Sequence, residues 1–331
     1  MHFEHVKKLL IVRFSSLGDV ILTTPLIRTL KCRYPNLRID FCVRTDFVDV
    51  LKHNPNLSSI LVYTKDDQEI QKLRGIIAEN NYDLVIDLQN NRRSKSLLQD
   101  IKKPVYKFHK NSLRKFLLVQ FKINLMSHMP QIPVRYAKTL RHFELDDKGL
   151  DLYTPESVKP DLEPCDNYIA LCPGSKHYTK MWPYEYYIEL GEILKLHGYT
   201  VAVFGGKMEK QLCKTIADRI PGAIDVCNDD DLFKTVANMK QCIGVVSNDS
   251  GLIHIAAALQ KPILAIFGST VKEFGFTPYK TKYEIIQNES LKCRPCSHIG
   301  RADCPKKHFH CMVRLTPTVV YQNLSYLLTA K

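Results

Sequence analysis

The sequence predicts an α/β protein in which two parallel sheets each carry helices on both faces. Short continuous apolar runs alternate with helical stretches, which is typical of buried parallel strands. The alternation stops at an acidic, proline-containing stretch and then begins again, and the chain of 331 residues is longer than one hydrophobic core usually supports. We therefore expect two Rossmann-like βαβ domains, residues 1–160 and 161–331, facing a central cleft at the carboxyl ends of their strands.

The first domain is predicted from four strands and the helices between them. A buried strand over Lys7 to Phe14 is followed by a helix from about Gly18 to Tyr34, because apolar residues recur there at helical spacing. The other predicted strands are Arg38 to Val43, Ser59 to Tyr63 and Tyr82 to Leu88.

The second domain begins after a linker and repeats the pattern. Between Leu145 and Asn167 the chain holds five Asp, two Glu and three Pro with few apolar residues. The predicted strands that follow are Tyr168 to Cys172, Thr200 to Gly205, Cys242 to Ser247 and Pro262 to Gly268. Predicted helices cover about 183–197, 208–219, 229–240 and 250–259, and a terminal helix at about 316–328 is a candidate to pack back on the first domain.

The positive charge is concentrated in one segment. The chain has a net charge of +13, and between Leu88 and His142 there are thirteen Lys and Arg residues but a single acid, Asp100. Such a segment is either a solvated basic face or the surface for an acidic partner, namely nucleic acid, an anionic membrane or an acidic substrate.

Composition also limits where the chain works. No apolar run approaches the ~20 residues of a membrane span, and the apolar run near the N-terminus is too short for a signal peptide. Eleven cysteines, several of them inside predicted strands, fit reduced thiols better than a disulfide framework. We expect a cytoplasmic protein.

Two loops in the second half have the features of phosphate-binding segments. Cys172 to Pro183 and Ser247 to Leu259 each place small residues between an apolar run and a helix, where backbone N–H groups and the helix dipole favour an anion. Ser175 and Lys176 lie in the first loop, and Lys176 and Lys180 add positive charge. The P-loop and dinucleotide-binding patterns are not matched, which argues against kinase, ATPase and dehydrogenase functions.

A cysteine cluster near the C-terminus leaves a second hypothesis open. Cys293, Cys296, Cys304 and Cys311 offer four soft ligands for a structural zinc ion. Their spacing departs from the paired C-x2-C pattern that makes zinc sites recognisable, so we expect no metal to be required.

Several motifs together resemble glycosyltransferase family 9, the heptosyltransferases of lipopolysaccharide core synthesis. The resemblance is carried by Arg13 to Leu30, Tyr82 to Ser94, Pro173 to Pro183, Val203 to Lys210 and Ser247 to Thr270, in the order in which the family has them. It implies a GT-B fold and metal-independent, inverting transfer of a heptose from ADP-heptose to a lipid-linked acidic core oligosaccharide, with no cofactor.

The resemblance also assigns roles to individual residues. It implies that Asp19 is the general base and that Lys180 lies against the donor phosphates. Asp249, Ser250, Gly251 and His254 match donor-binding positions, as does Glu209, which would hold the ribose hydroxyls. Without the resemblance, the sequence is equally consistent with a structural role for each of two residues. Asp19 could be an acid in the first turn of a helix, and His254 a histidine in the core.

The resemblance places the acceptor-binding residues in the basic segment. Arg92, Arg93 and Lys95 match the basic end of a family motif, and arginine forks suit carboxylates and phosphates. The mixed basic and apolar stretch Lys110 to Ile123 fits either an inward-packing helix or peripheral contact with the inner membrane surface.

Three alternatives remain at the level of sequence. The first is a family member that uses another nucleotide-sugar donor, and the second is a member that has lost catalysis. The third is a polyanion- or nucleic-acid-binding protein, which would leave both phosphate loops unexplained. The region around Cys293 to Cys296 favours the second heptose addition, and we expect a monomer that binds no nucleic acid.

Overall fold

The computed structural model describes residues 5–329, so the outermost residues of the predicted domains lie outside the described part. The chain divides into two compact units. The first comprises residues up to Lys110 together with Pro130–Tyr153, and the second comprises Asn111–Met129 together with residues from Thr154 onward. Of the three points at which the chain passes from one unit to the other, the last, after Tyr153, lies in the predicted linker.

The first unit is built on a five-stranded parallel sheet in the order β3-β2-β1-β4-β5. The central strand β1 is fully apolar in its buried part, as a strand covered on both faces must be. The strands are β1 Lys8–Val12, β2 Arg38–Arg44, β3 Ser59–Tyr63, β4 Leu84–Asp87 and β5 Val105–Lys107.

The helices of the chain follow the predicted order with one correction in the first unit. The predicted helix from Gly18 to Tyr34 is two helices, because Pro25 lacks the amide hydrogen that a continuous helix would need there. The first six helices are α1 Leu17–Ile21, α2 Thr24–Arg33, α3 Asp67–Glu79, α4 Arg92–Leu97, α5 Ser112–Phe121 and α6 Ile132–Ala137.

The second unit is built on a six-stranded parallel sheet in the order β11-β10-β9-β6-β7-β8. Its strands are β6 Tyr168–Cys172, β7 Thr200–Val203, β8 Ile224–Asp225, β9 Cys242–Asn248, β10 Ile263–Phe267 and β11 Tyr283–Gln287. Its helices are α7 Tyr184–Leu196, α8 Lys210–Arg219, α9 Leu232–Lys240, α10 Leu252–Ala258, α11 His310–Val313 and α12 Pro317–Thr329. The prediction of two Rossmann-like parallel sheets covered by helices is confirmed.

Two predicted placements differ from the structure. Helix α12 was a candidate to pack on the first domain, but its buried Val320, Leu324 and Leu327 belong to the main core of the second unit. The segment Asn111–Met129 was predicted within the first domain, but Leu118 and Met126 are buried with Phe274 in a small cluster of the second unit. Burial of these apolar side chains decides both placements. In the described residues, no helix is long and apolar enough to cross a membrane.

Candidate active site

The first unit holds Asp19 in a dense hydrogen-bonded cluster directly after β1. Ser16 is the N-cap of α1, and its backbone N–H and hydroxyl donate to Asp19 Oδ2 at 3.0 and 2.8 Å. Arg13 Nη2 lies 2.7 Å from the other oxygen, Oδ1, to which the hydroxyl of Tyr136 donates at 3.3 Å. The carboxylate is therefore held in one orientation by charged and neutral donors together.

The electrostatics of this cluster keep Asp19 ionised. Burial alone raises the pKa of Asp19, but the charge of Arg13 and the hydrogen bonds from Ser16 outweigh it, so that the pKa lies below its usual value. Burial also raises the pKa of Tyr136, which remains a neutral donor. A carboxylate that is ionised at neutral pH is in the protonation state that a general base requires.

Arg13 is fixed by more than its ion pair. Its Nε donates to the carbonyl of Ser15 at 2.9 Å and its Nη1 to the carbonyl of Leu88 at 2.8 Å, while its guanidinium lies 5.7 Å from the centre of the Tyr136 ring. Sequence analysis missed Arg13 as a site residue, although an arginine that interrupts a buried apolar run was a visible signal. No sequence signal identified Tyr136.

The predicted acceptor residues lie on the first turns of α4. Arg92, Arg93 and Lys95 are exposed and form no ion pair with any described residue. The turn beneath them is rigid, because the buried Asp87 at the end of β4 accepts from Asn90 N at 2.7 Å and from Ser94 Oγ at 2.8 Å. The structure thus presents three cations on an ordered turn.

Lys110 connects this turn electrostatically to the Asp19 cluster, and sequence analysis did not single it out. Its pKa is lowered by partial burial and by the positive charge of Arg13, while Asp87 and Asp19 act in the opposite direction.

The second unit brings Lys180 and Asp249 together. Lys180 Nζ lies 2.8 Å from Asp249 Oδ2, which also accepts from the hydroxyl of Thr270 at 2.6 Å. Asp249 directly follows β9 and Lys180 ends a short 3-10 turn before α7, so residues from both predicted phosphate loops meet here. Both residues were singled out from the sequence, whereas their contact with each other and the partner Thr270 were not predicted.

The backbone of the first loop is fixed from several sides. The hydroxyl of Thr179 accepts from Ser269 Oγ at 2.9 Å and from the backbone N–H of Arg301 at 2.8 Å. The side chain of Asn248 accepts from Trp182 N at 3.0 Å and donates to the carbonyl of Pro173 at 2.6 Å. Lys180 therefore extends from a preorganised turn.

Glu209 lies against the same loop. A Cβ atom on Gly174 would come within 2.5 Å of Glu209 Cγ, so a side chain at this position is incompatible with the packing. The backbone N–H of Gly206 holds the carboxylate at 3.0 Å. The structure thus places Glu209 against Gly174, which directly precedes Ser175 and Lys176. Ser175 is partly buried and Lys176 is exposed.

The remaining predicted donor residues follow β9. Ser250 and Gly251 are partly buried at the start of α10, and His254 is buried on that helix. Position alone does not distinguish a ligand role of His254 from a core role. The acidic run at Asp229 to Asp231 is explained by local structure, since Asp231 caps α9 by accepting from Lys234 N at 3.0 Å and Asp229 pairs with Lys210.

The zinc hypothesis gains no support from the geometry. Cys296 donates to the carbonyl of Cys293, and Cys293 Sγ lies 3.9 Å from His308 Nε2. Across residues 5–329, however, no three or more His, Cys, Asp or Glu side chains are placed to hold a metal ion. Cys304 and Cys311 do not complete a ligand set.

Parallel α/β sheets with loops and helix N-termini at the carboxyl ends of their strands are typical of nucleotide-binding proteins. The family model for glycosyltransferase family 9 (heptosyltransferase) matches residues 70–307, and the chain belongs to that family of transferases.

Curated relatives and solved structures agree with this assignment. The chain is 28% identical to lipopolysaccharide heptosyltransferase 1 of Pseudomonas aeruginosa, covering 87% of this chain and 86% of the relative. It is 25% identical to lipooligosaccharide heptosyltransferase 2 of Haemophilus influenzae, covering 97% and 99%. The structure of ADP-heptose LPS heptosyltransferase II of Escherichia coli superimposes with a TM-score of 0.72 at 23% identity, covering 97% and 98%. These neighbours have the GT-B fold, so the predicted fold class is confirmed.

Proposed function

We propose that this glycosyltransferase moves a heptose from ADP-heptose to the lipid-linked acidic inner core of lipopolysaccharide, with inversion at the anomeric carbon. The observation that carries the proposal is the carboxylate of Asp19, which is held ionised by Arg13 and Ser16 at the carboxyl end of the central strand. The named heptosyltransferase relatives support the donor and the acceptor.

In the proposed reaction Asp19 accepts the proton of the acceptor hydroxyl. The acceptor oxygen forms its bond to the anomeric carbon from the face opposite the diphosphate, whose bond to that carbon breaks. ADP leaves with the electron pair of the broken bond. A single displacement of this kind inverts the configuration, and a positioned base contributes typically 10²–10⁴ in rate.

Lys180 and the loops of the second unit serve the leaving group in this proposal. The lysine exchanges Asp249 for the diphosphate oxygens, where negative charge develops as the sugar departs. Ser175, Lys176, Ser250 and Gly251 supply further donors to the phosphates, and Glu209 accepts from the ribose hydroxyls. Asp249 and His254 complete the donor site. Since Lys180 neutralises the leaving group, we propose that no metal is required.

Arg92, Arg93 and Lys95 bind the acceptor. Their exposed positive charges on an ordered turn suit the carboxylates or phosphates of an acidic core sugar. The second heptose addition is the favoured step, because the region around Cys293 to Cys296 favours it and several relatives, the Haemophilus influenzae protein among them, are named heptosyltransferase 2, although the Pseudomonas aeruginosa relative is a heptosyltransferase 1. We further propose that the chain acts as a monomer in the cytoplasm and binds no nucleic acid.

The first test is isothermal titration of the protein with ADP-heptose, ADP, UDP-glucose and GDP-mannose, with EDTA present. The proposal expects binding of ADP and ADP-heptose only. Preference for a UDP or GDP sugar would select the alternative, a family 9 transferase with another donor. Absence of all binding would contradict the enzyme function.

A second test addresses the reaction itself. Transfer to a deacylated inner-core acceptor, followed by NMR of the new linkage, should show the anomeric configuration opposite to that of the donor. Retention of configuration would contradict the single displacement by way of Asp19.

A further inference from the structure

Helix α5 exposes a row of large apolar side chains to solvent. Leu113, Phe116 and Phe121 recur at spacings of three and five along the helix, and the chain beyond its end adds Ile123 and Leu125. All five have between 49% and 70% of their surface exposed. We call these five residues the α5 strip. Single exposed apolar residues are ordinary, but five within thirteen residues form a patch that marks a binding surface.

The strip is not needed to hold α5 in place, because the helix has a second apolar face. Leu118 is buried with Met126 and Phe274, and Val119 packs on the same cluster. The two exposed rings pack on each other instead, with Phe116 and Phe121 edge to face and 5.9 Å between their centres. A helix anchored by one face therefore presents its other face outward.

The segment that carries the strip is strongly basic. From Ile101 to Phe143 the sequence contains no Asp or Glu, and Arg114 is exposed on α5 itself. Lys122 is committed to the end of the helix, where Nζ donates to the carbonyls of Val119 and Pro295 at 2.7 Å. The carboxylate of Glu273 lies 3.4 Å from Asn124 Nδ2 at the end of the segment.

We propose that the α5 strip is a docking surface for an anionic phospholipid bilayer, into whose headgroup region Leu113, Phe116 and Phe121 insert. Large apolar side chains flanked by Arg and Lys are the composition of helices that lie in a membrane interface. The positive surroundings disfavour a second copy of this chain, because the two strips would bring like charges together. The proposal is independent of the donor and explains how a lipid-linked acceptor is reached.

The test is sedimentation of the full chain with vesicles of phosphatidylethanolamine and phosphatidylglycerol, compared with phosphatidylcholine alone. The variant Leu113→Ser/Phe116→Ser/Phe121→Ser removes the strip, and Leu196→Ser/Tyr326→Ser removes two side chains that are 84% and 71% exposed elsewhere in the same unit. We expect the first variant to lose binding to anionic vesicles by at least about tenfold and the second to bind like the wild type.

Insertion is measured with Phe116→Trp. Because the natural Trp182 is buried, the new indole dominates the response to the membrane. Its emission should shift to the blue and be quenched by brominated lipid. Vesicle binding without quenching would mean a purely electrostatic contact and would overturn the proposal.

Other outcomes overturn it as well. Equal vesicle binding by the triple variant, or no vesicle binding by the wild type, would remove the membrane as the occupant. A dimer in light scattering that the triple variant abolishes would make a second copy the occupant. Thermal melting shows whether each variant is folded, and none of these measurements depends on the donor, so a failed transferase assignment would leave this test intact.

Discussion

The two units place an aspartate and a cation together after a central strand, but they hold the cation differently. In the first unit Arg13 contacts Asp19 and also donates to two backbone carbonyls, so its position is fixed by three partners. In the second, the described partner of the Lys180 ammonium is Asp249, which Thr270 holds. An arginine fork suits permanent orientation, whereas a lysine is a flexible point charge. We therefore expect the Arg13–Asp19 pair to stay intact during the reaction, and Lys180 to exchange Asp249 for another anion.

The largest effect should come from the carboxylate of the fixed pair. Asp19→Asn keeps the shape of the side chain but removes the charge and the proton acceptor, and its NH2 group cannot accept the hydrogen bonds at one of the two oxygen positions. We therefore expect kcat to fall by about 10²–10⁴. The matched control is Asp46→Asn, since Asp46 pairs with Arg44 at 2.6 Å and is exposed in the same unit. A steady-state transfer assay measures both. If Asp19→Asn retains kcat within about tenfold, Asp19 is not the base.

The cation of the exchanging pair should have the next largest effect. Lys180→Met keeps the length of the side chain but removes the charge that meets the leaving group, so kcat should fall by about 10²–10³. KM for the donor should change much less. Lys210→Met is the control, because Lys210 forms an exposed ion pair with Asp229 in the same unit. A raised KM with unchanged kcat would place Lys180 in binding alone.

The variant Arg13→Gln tests the fixed pair, because it should change the pH dependence of the activity. In the wild type the pKa of Asp19 is lowered, so activity should be lost only at acidic pH, as the carboxylate becomes protonated. Without the charge of Arg13, the effect of burial is opposed less strongly, by the hydrogen bonds from Ser16, so the pKa of Asp19 rises. The acidic limb of the kcat/KM profile should therefore move to higher pH. An identical limb in both proteins would show that Arg13 does not set the ionisation of Asp19.

The smallest effect should come from Tyr136→Phe. The hydroxyl donates to Asp19 across 3.3 Å, the longest of the described contacts to this carboxylate. Its loss should lower kcat by about two- to tenfold, the range of a single modest hydrogen bond. The buried ring remains, so the melting temperature reports whether packing is preserved. A loss as large as that of Asp19→Asn would make Tyr136 a participant in proton transfer.

The sequence was informative wherever neighbouring residues decide the structure. Strands β3 and β6 lie within their predicted bounds, because continuous apolar runs between polar turns have few other solutions. Helix α9 lies within its predicted range of about 229–240, and Asp231 caps it. Strands β5, β8 and β11 were not predicted, since they are short or mixed in polarity and form at or near the sheet edges.

The sequence did not predict contacts between residues that lie far apart in the chain. Tyr136 contacts Asp19 across 117 positions, and no periodicity records such a contact. The membership of α5 in the second unit depends on Phe274, which lies far along the chain. Lys180 was singled out from the sequence, but its contact with Asp249 was not predicted, and its role in the reaction remains a prediction.

The position of α5 has a consequence for biosynthesis. Leu118 and Met126 leave the ribosome long before Phe274, on which they pack, and before the strands of the second sheet. During that interval the nascent chain carries a helix that is apolar on two faces and has no native partner for either. Exposed apolar surface of this kind attracts chaperones and promotes aggregation. The same helix that gives the finished protein its exposed strip therefore makes the unfinished chain dependent on protection.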